Sequence, residues 1–244
     1  MKRLSVALLV SVLAFSAQAA LADHFDISPF FQDGKLIAGG LSHNGERVSP
    51  PVSVFGYDFG ESADDPFNPS DPGVNQAAGV GNLTAGDPIR YNILSSLLYW
   101  DGNGEVSFGA PTGETCLTLL MGSQSRTLTG TSGLQTGSLI QNVGTGGLVH
   151  KHFTASLCDA PEAENVPGEP GYIVPTAGIY AFSIELTLAH NGTTYVSEPL
   201  WIVFNNGLSE EQHDAAMQAV PEPASLCLLG AGAVALLRRR RAGC

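Results

Sequence analysis

Two histidines separated by one residue give this sequence its clearest chemistry. His150-Lys151-His152 lies in the run 148–157, where Val149, Phe153, Ala155 and Leu157 fall on one face of an extended strand. His150, His152, Thr154 and Ser156 then fall on the other, because side chains alternate along a strand. Residues i and i+2 on one face stand about 6–7 Å apart, within reach of one ion. A second pair has the same spacing. Phe25, Ile27 and Phe31 share a face, which leaves His24 and Asp26 opposite. Three imidazoles and one carboxylate suit Zn²⁺, with Mn²⁺ or another transition ion as an alternative. The candidate ligands are therefore His24, Asp26, His150 and His152; H-x-H on an exposed strand is also what two solvated histidines look like.

Other residues offer less specific chemistry. The segment 58–75 is polar and rich in turn formers, and its acids Asp58, Glu61, Asp64, Asp65 and Asp71 form a candidate calcium loop. Their spacing is not that of an EF-hand, and acidic turn loops are commonly just solvated. Cys116 and Cys158 are an even pair, expected to form a disulfide in an oxidising compartment. Cys227 and Cys244 sit in the C-terminal tail. His43 has no recognisable partner in sequence, and His190 and His213 read as surface residues. No nucleophile elbow, zinc-protease helix, phosphate loop or dinucleotide fingerprint occurs. A metal-dependent hydrolase would need a base, for which Glu185 or Asp159 is the only suggestion. The chain is not expected to be an enzyme.

Short alternating segments separated by Gly, Pro, Asn and Ser must position these groups, which points to an all-β, antiparallel β-sandwich. Expected strands are 24–31, 35–40, 51–57, 89–94, 114–121 and 147–158. The strongest hairpin joins 179–190 to 193–204 through Asn191-Gly192, which tolerate the positive φ angles of a type I′ turn. Tyr180, Phe182, Ile184, Leu186 and Leu188 mark the buried face of its first strand, with Ser183, Glu185 and Thr187 outward. Ser209 and Gln212 form a capping box, predicting a short helix over 210–219.

The two ends read as processing segments. Lys2-Arg3, an apolar run from Val6 to Phe15 and small residues at A-x-A spacing make residues 1–22 a signal peptide, with cleavage after Ala19 or Ala22. The far end runs Pro221-Glu222-Pro223, a short apolar segment and four arginines, Arg238 to Arg241. That apolar segment is too short to span a bilayer comfortably, and the arginines mark a cytoplasmic stop. The tail resembles PEP-CTERM sorting signals. The resemblance implies an exosortase-type protease that cuts near Pro221-Glu222-Pro223, and transient membrane attachment through 221–244. Between the ends lie a sandwich domain, 23–206, and a helix with linker, 207–220. Without Lys2, Arg3 and the tail arginines, 5 of 11 basic residues remain, against 22 of 23 acidic ones, a net charge near −17. Such a charge excludes a nucleic-acid partner.

The body also resembles a known group. His24-Phe25-Asp26-Ile27, then Asp33-Gly34-Lys35-Leu36, the H-x-H pair, Gly178-Ile179-Tyr180 and Ser197-Glu198-Pro199 are similar to segments of choice-of-anchor surface proteins and zinc-repressed PEP-CTERM proteins. It departs from them in having Asp23 where they have Gly, and in lacking a Trp after the second His. The resemblance implies a β-rich surface protein associated with zinc or manganese. The expected function is thus an exported, surface-sorted envelope protein that binds Zn²⁺ through the H-x-D and H-x-H pairs. The alternative is a structural or adhesive component associated with exopolysaccharide, with incidental histidines.

Overall fold

The computed structural model describes residues 21–23, 25–42, 45–48, 51–60, 69–112, 115–158 and 176–220. The expected signal helix and tail helix, His24, His43, Glu61, Asp64, Asp65, Asp159 and the Pro221-Glu222-Pro223 motif lie outside the described residues. The elements are β1 (Leu21–Asp23), β2 (Asp26–Gln32), β3 (Lys35–Leu41), β4 (Val54–Asp58), β5 (Gly73–Gln76), β6 (Pro88–Ile93), β7 (Leu98–Trp100), β8 (Leu117–Met121), β9 (Gln124–Leu128), β10 (Gln135–Asn142), β11 (Val149–His152), β12 (Thr154–Leu157), β13 (Gly178–His190), β14 (Thr193–Val196), β15 (Leu200–Asn206) and α1 (Glu210–Ala219).

The strands make one large sheet and two small ones. The large sheet runs β1-β4-β15-β13-β6-β10, with β14 and β7 also on β13; the others run β11-β5-β2-β3 and β12-β8-β9. Side chains from all three meet in one core, including Tyr57, Tyr91, Phe182 and Phe204 of the large sheet, Ile27, Val74 and Val149 of the second, and Leu117, Leu119 and Leu157 of the third. The protein is all-β and sandwich-like, because each sheet hides its apolar face against another. It is not wholly antiparallel: β1 and β15 both pair with β4 in parallel, and so does β2 with β5. β1 spans only the second of the two cleavage positions read from the sequence: cleavage after Ala19 leaves it whole, and cleavage after Ala22 removes two of its residues.

The strand expected over 147–158 is two strands. β11 pairs with β5 in the second sheet and β12 with β8 in the third. The break falls at Phe153, which is buried and meets Tyr91 edge-on at 4.9 Å. Its N–H donates to Pro72 O at 3.1 Å, outside either ladder. The expected return strand 193–204 divides as well. β14 leaves the ladder at Ser197, whose hydroxyl accepts from Leu186 N–H, and Pro199 has no N–H to give before β15 begins. The end of the expected loop 58–75 is likewise a strand, β5, too short and too polar for alternation to reveal it.

β13 is buried on both faces over its first half and alternates only from Ile184 onward. Its second covered face, carrying Ile179 and Ala181, packs with Val54, Trp100, Trp201 and Val203 beneath Ala216, Met217 and Val220 at the end of α1. α1 starts at the expected Ser209 cap, with the full capping box formed with Gln212. His213 is not a surface residue: docking of α1 leaves it 1% exposed. His190 is half-buried, with Nδ1 2.7 Å from Asp87 Oδ2.

Cys116 and Cys158 form a disulfide with Cα atoms 5.2 Å apart, just beyond the Leu117–Leu157 pair of the third sheet. It closes a loop of 42 residues, for which the chain-entropy account gives about 4 kcal/mol. The Cys116→Ser, Cys158→Ser double variant should lose about that much stability in denaturant titration. A loss under about 1 kcal/mol would show that the reduced chain is already held by the β8–β12 ladder.

Candidate metal centre

Three neighbouring strands bring together residues 26, 71 and 152. β11 lies antiparallel along one edge of β5, with His152 opposite Gly73 and His150 opposite Asn75. β2 lies parallel along the other edge, with Ile27 opposite Val74, which sets Asp26 beside Gly73. The alternation read from the sequence holds here: Val149 is buried, and His150 and His152 are exposed on the outer face. Asp71 lies two residues before β5, separated from it by Pro72. One ligand atom each from Asp26, Asp71 and His152 lies within 4.8 Å of the others. A tetrahedral Zn²⁺ with bonds of about 2.0–2.2 Å holds its ligand atoms about 3.4 Å apart, so small rotamer changes close the group.

Gly73 makes this convergence sterically feasible. A Cβ there would collide with Asp26 Oδ1 and would stand 2.7 Å from Asp26 Cγ and 2.9 Å from His152 Cε1. The carboxylate and the imidazole thus lean over the glycine from the two flanking strands. Asn75 Nδ2 donates to Asp26 Oδ2 at 3.3 Å, which orients the carboxylate. β5 itself is held by Val74 in the core and by buried Gln76, whose Oε1 accepts from Ser28 Oγ at 2.8 Å and from Arg47 at 2.9 Å. The Arg47 guanidinium lies 3.9 Å over the Phe30 ring, and burial pulls its pKa below the ordinary arginine value.

The two nitrogens of His152 face different neighbours. Nδ1 is 2.9 Å from Ser70 O and 3.4 Å from Asp71 Oδ1. A proton on Nδ1 donated to the carbonyl leaves Nε2 bare, and Nε2 is 3.2 Å from His150 Nε2. A proton on His150 or a shared cation satisfies that second pair. One ion cannot use both sides of the ring at once. His150 therefore adjoins the Asp26–Asp71–His152 group without belonging to it. The four ligands read from the sequence are divided: Asp26 and His152 meet, His150 touches His152 alone, and His24 lies outside the described residues. Asp71, assigned by sequence to a calcium loop, joins the histidine group, while Asp58 groups with Glu210 and His213. The two described acids of that loop thus serve different clusters. Asp71 was missed because its partners come from strands 45 and 81 residues away in sequence.

The other end of the domain carries a second functional feature. α1 ends at Ala219, and Val220 is buried against the large sheet. Residues 219–241 match the PEP-CTERM protein-sorting motif. The chain carries a PEP-CTERM sorting tail. No curated protein matches the chain. The PEP-CTERM tail marks an exported, envelope-associated protein that an exosortase processes, with membrane attachment through the tail. Among the described residues no helix is long and apolar enough to cross a membrane. The motif match begins at Ala219, the last residue of α1.

The close approach over Gly73 is testable without metal. Gly73→Ala overpacks the site and should cost about 1–3 kcal/mol. The same change in an Asp26→Ala background should cost at least about 1 kcal/mol less, because the colliding carboxylate is gone. Additive costs in urea titrations would show that the carboxylate does not lean over Gly73.

Proposed function

We propose that this PEP-CTERM protein is a non-enzymatic, surface-sorted binder of a transition-metal ion, Zn²⁺ before Mn²⁺, held by Asp26, Asp71 and His152 with His150 beside them. The convergence of those three side chains, with Asp26 and His152 leaning over Gly73, carries the reading. An imidazole with two carboxylates is a donor set that favours zinc or manganese over calcium, which takes oxygen alone. With the ion on His152 Nδ1, on the Asp71 side, the ring proton would lie on Nε2 and donate to His150 Nε2, and the Asn75 amide would orient Asp26. On a chain this acidic, cations are also concentrated near the surface before they are bound.

Capture and release suit the site better than catalysis. The side chains of His152 and Asp71 are each 38% exposed, so the group is open to solvent. Glu185, the sequence suggestion for a base, instead accepts from Asn92 Nδ2 at 2.8 Å on the large sheet. A cavity of about 690 Å³ lies between β3, β14 and residues 51–53 and is lined by Leu36, Ala38, Val52, Tyr195 and Pro199 among others. None of the three grouped ligands lines it.

The test is calorimetric zinc titration of the full chain, purified in detergent and stripped of metal, at neutral pH. Binding at roughly micromolar affinity or tighter is expected, weakened by more than about 10-fold in His152→Ala and in Asp26→Asn. His150→Ala should weaken it less, because His150 stands outside the carboxylate group. Absence of heat, together with no thermal stabilisation by Zn²⁺, Mn²⁺ or Cu²⁺, would sink the proposal and leave a structural or adhesive surface protein.

A further inference from the structure

We propose a peptide-binding cleft in which an extended, basic peptide adds to the outer edge of β3, opposite β14. The cavity of about 690 Å³ between these strands is lined by the consecutive residues 34–38 and 194–196. Neighbouring side chains on a strand point to opposite faces, so a cavity that meets every residue in turn lies along a strand edge. Both strands end their ladders there: β3 pairs with β2 alone and β14 with β13 alone, apart from the bridge of Leu41 to Arg47 at the far end of β3.

The register shows which backbone groups are bare. Asp33-Gly34 and Asn191-Gly192 are two-residue turns with positive φ at both positions, so Gln32–Lys35 and His190–Thr193 are the first hydrogen-bonded pairs of their ladders. Bonded and non-bonded pairs then alternate. Leu36, Ala38 and Gly40 therefore turn their N–H and C=O away from β2, and Thr194 and Val196 turn theirs away from β13. Two bonds agree with this parity. Gly40 O accepts from Val48 N–H at 2.9 Å on the outer edge, and Ser197 N–H donates to Leu186 O at 2.9 Å on the inner one. Among the described residues nothing bonds the outward groups of Leu36, Ala38, Thr194 or Val196. Leu36 is only 3% exposed, so little water reaches its bare amide.

A row of bare N–H and C=O groups recognises main chain, which is the chemistry of strand addition. One residue of extended chain fills about 160 Å³, from its rise and its spacing to neighbouring strands and sheets, so the cavity takes roughly four residues. Buried Leu36, Val52 and Leu200 line it together with Tyr195, whose ring meets Phe31 edge-on at 4.8 Å. That wall suits apolar side chains at alternate positions of the peptide. Charge selects the positions between them. The domain is strongly acidic, and Glu198 at the cavity offsets Lys35, the one cation that lines it, so lysine or arginine is favoured there. The same acidity opposes pairing with a second copy of the chain. The cleft shares no residue with the group over Gly73, so either can fail without the other.

The experiment titrates the full chain, in non-ionic detergent at low salt, against a fluorescein-labelled peptide of alternating valine and lysine, read by anisotropy. Saturable binding in the micromolar range is expected, and the matching valine–glutamate peptide should not bind. N-methylation of the valine amides, or of the lysine amides, keeps charge and side chains but blocks one edge of the peptide. At least one of these two peptides should bind more than about 10-fold more weakly. Ala38→Pro removes an outward N–H of β3 and leaves its bonds to β2 intact, so it should weaken the parent peptide by a similar factor. Because the methylated peptides are read on the unaltered chain, the test holds whether or not that variant folds. Failure of the parent peptide to bind overturns the cleft. Equal binding of the parent and both methylated peptides overturns it too, since attraction by charge alone then accounts for the signal.

Discussion

Strand β5 is four residues long and cannot persist on its own ladder, so everything assembled around it depends on hydrogen bonding along both its edges. β2 supplies one edge and β11 the other, and buried Gln76 ties the strand to Ser28 and to Arg47. Buried amide and hydroxyl groups are costly unless paired, so this arrangement tolerates little slippage. A shift of one residue would turn Val74 out of the core and carry Gly73 away from Asp26 and His152. The position of the candidate metal ligands is thus fixed by a register that the core enforces.

The large sheet is used on both faces, which separates two tasks. One face is covered by the two smaller sheets, and the four-stranded one carries Asp26 and His152. The opposite face is covered by α1, from which the sorting tail departs. The helix is apolar only where it meets Trp201, Val203 and Ile179, and it starts with two glutamates that suit the positive end of the helix dipole.

Local signals in the sequence were read where one segment contains its own explanation. Asn191 and Gly192 take φ angles of 49° and 79°, as the hairpin turn requires, and Ser209 and Gln212 cap α1 as their spacing implies. The outward placement of His150 and His152 followed from the alternation with Val149 and Phe153. His213 was misread for the converse reason. Its burial comes from the large sheet beneath α1, and a ten-residue helix with a weak apolar stripe does not announce which face will be covered. β5 was hidden in the same way, since Gly-Val-Asn-Gln has one apolar residue and its pairing partners are both distant.

By itself the sequence determined the all-β character, the helix with its cap, the sorting tail and the chemistry of the available ligands. Those properties reside in residue types and short spacings, which elementary sterics and solvation make interpretable locally. The tertiary structure decided which ligands meet. Asp71 joins His152 rather than Asp58 because the chain just after Asp71 enters the sheet as β5, beside β11. His150 is excluded from the carboxylate group because the imidazole of His152 presents opposite edges to the two. Such pairings depend on strand register and on contacts between segments dozens of residues apart, and alternation along any one segment carries no record of them.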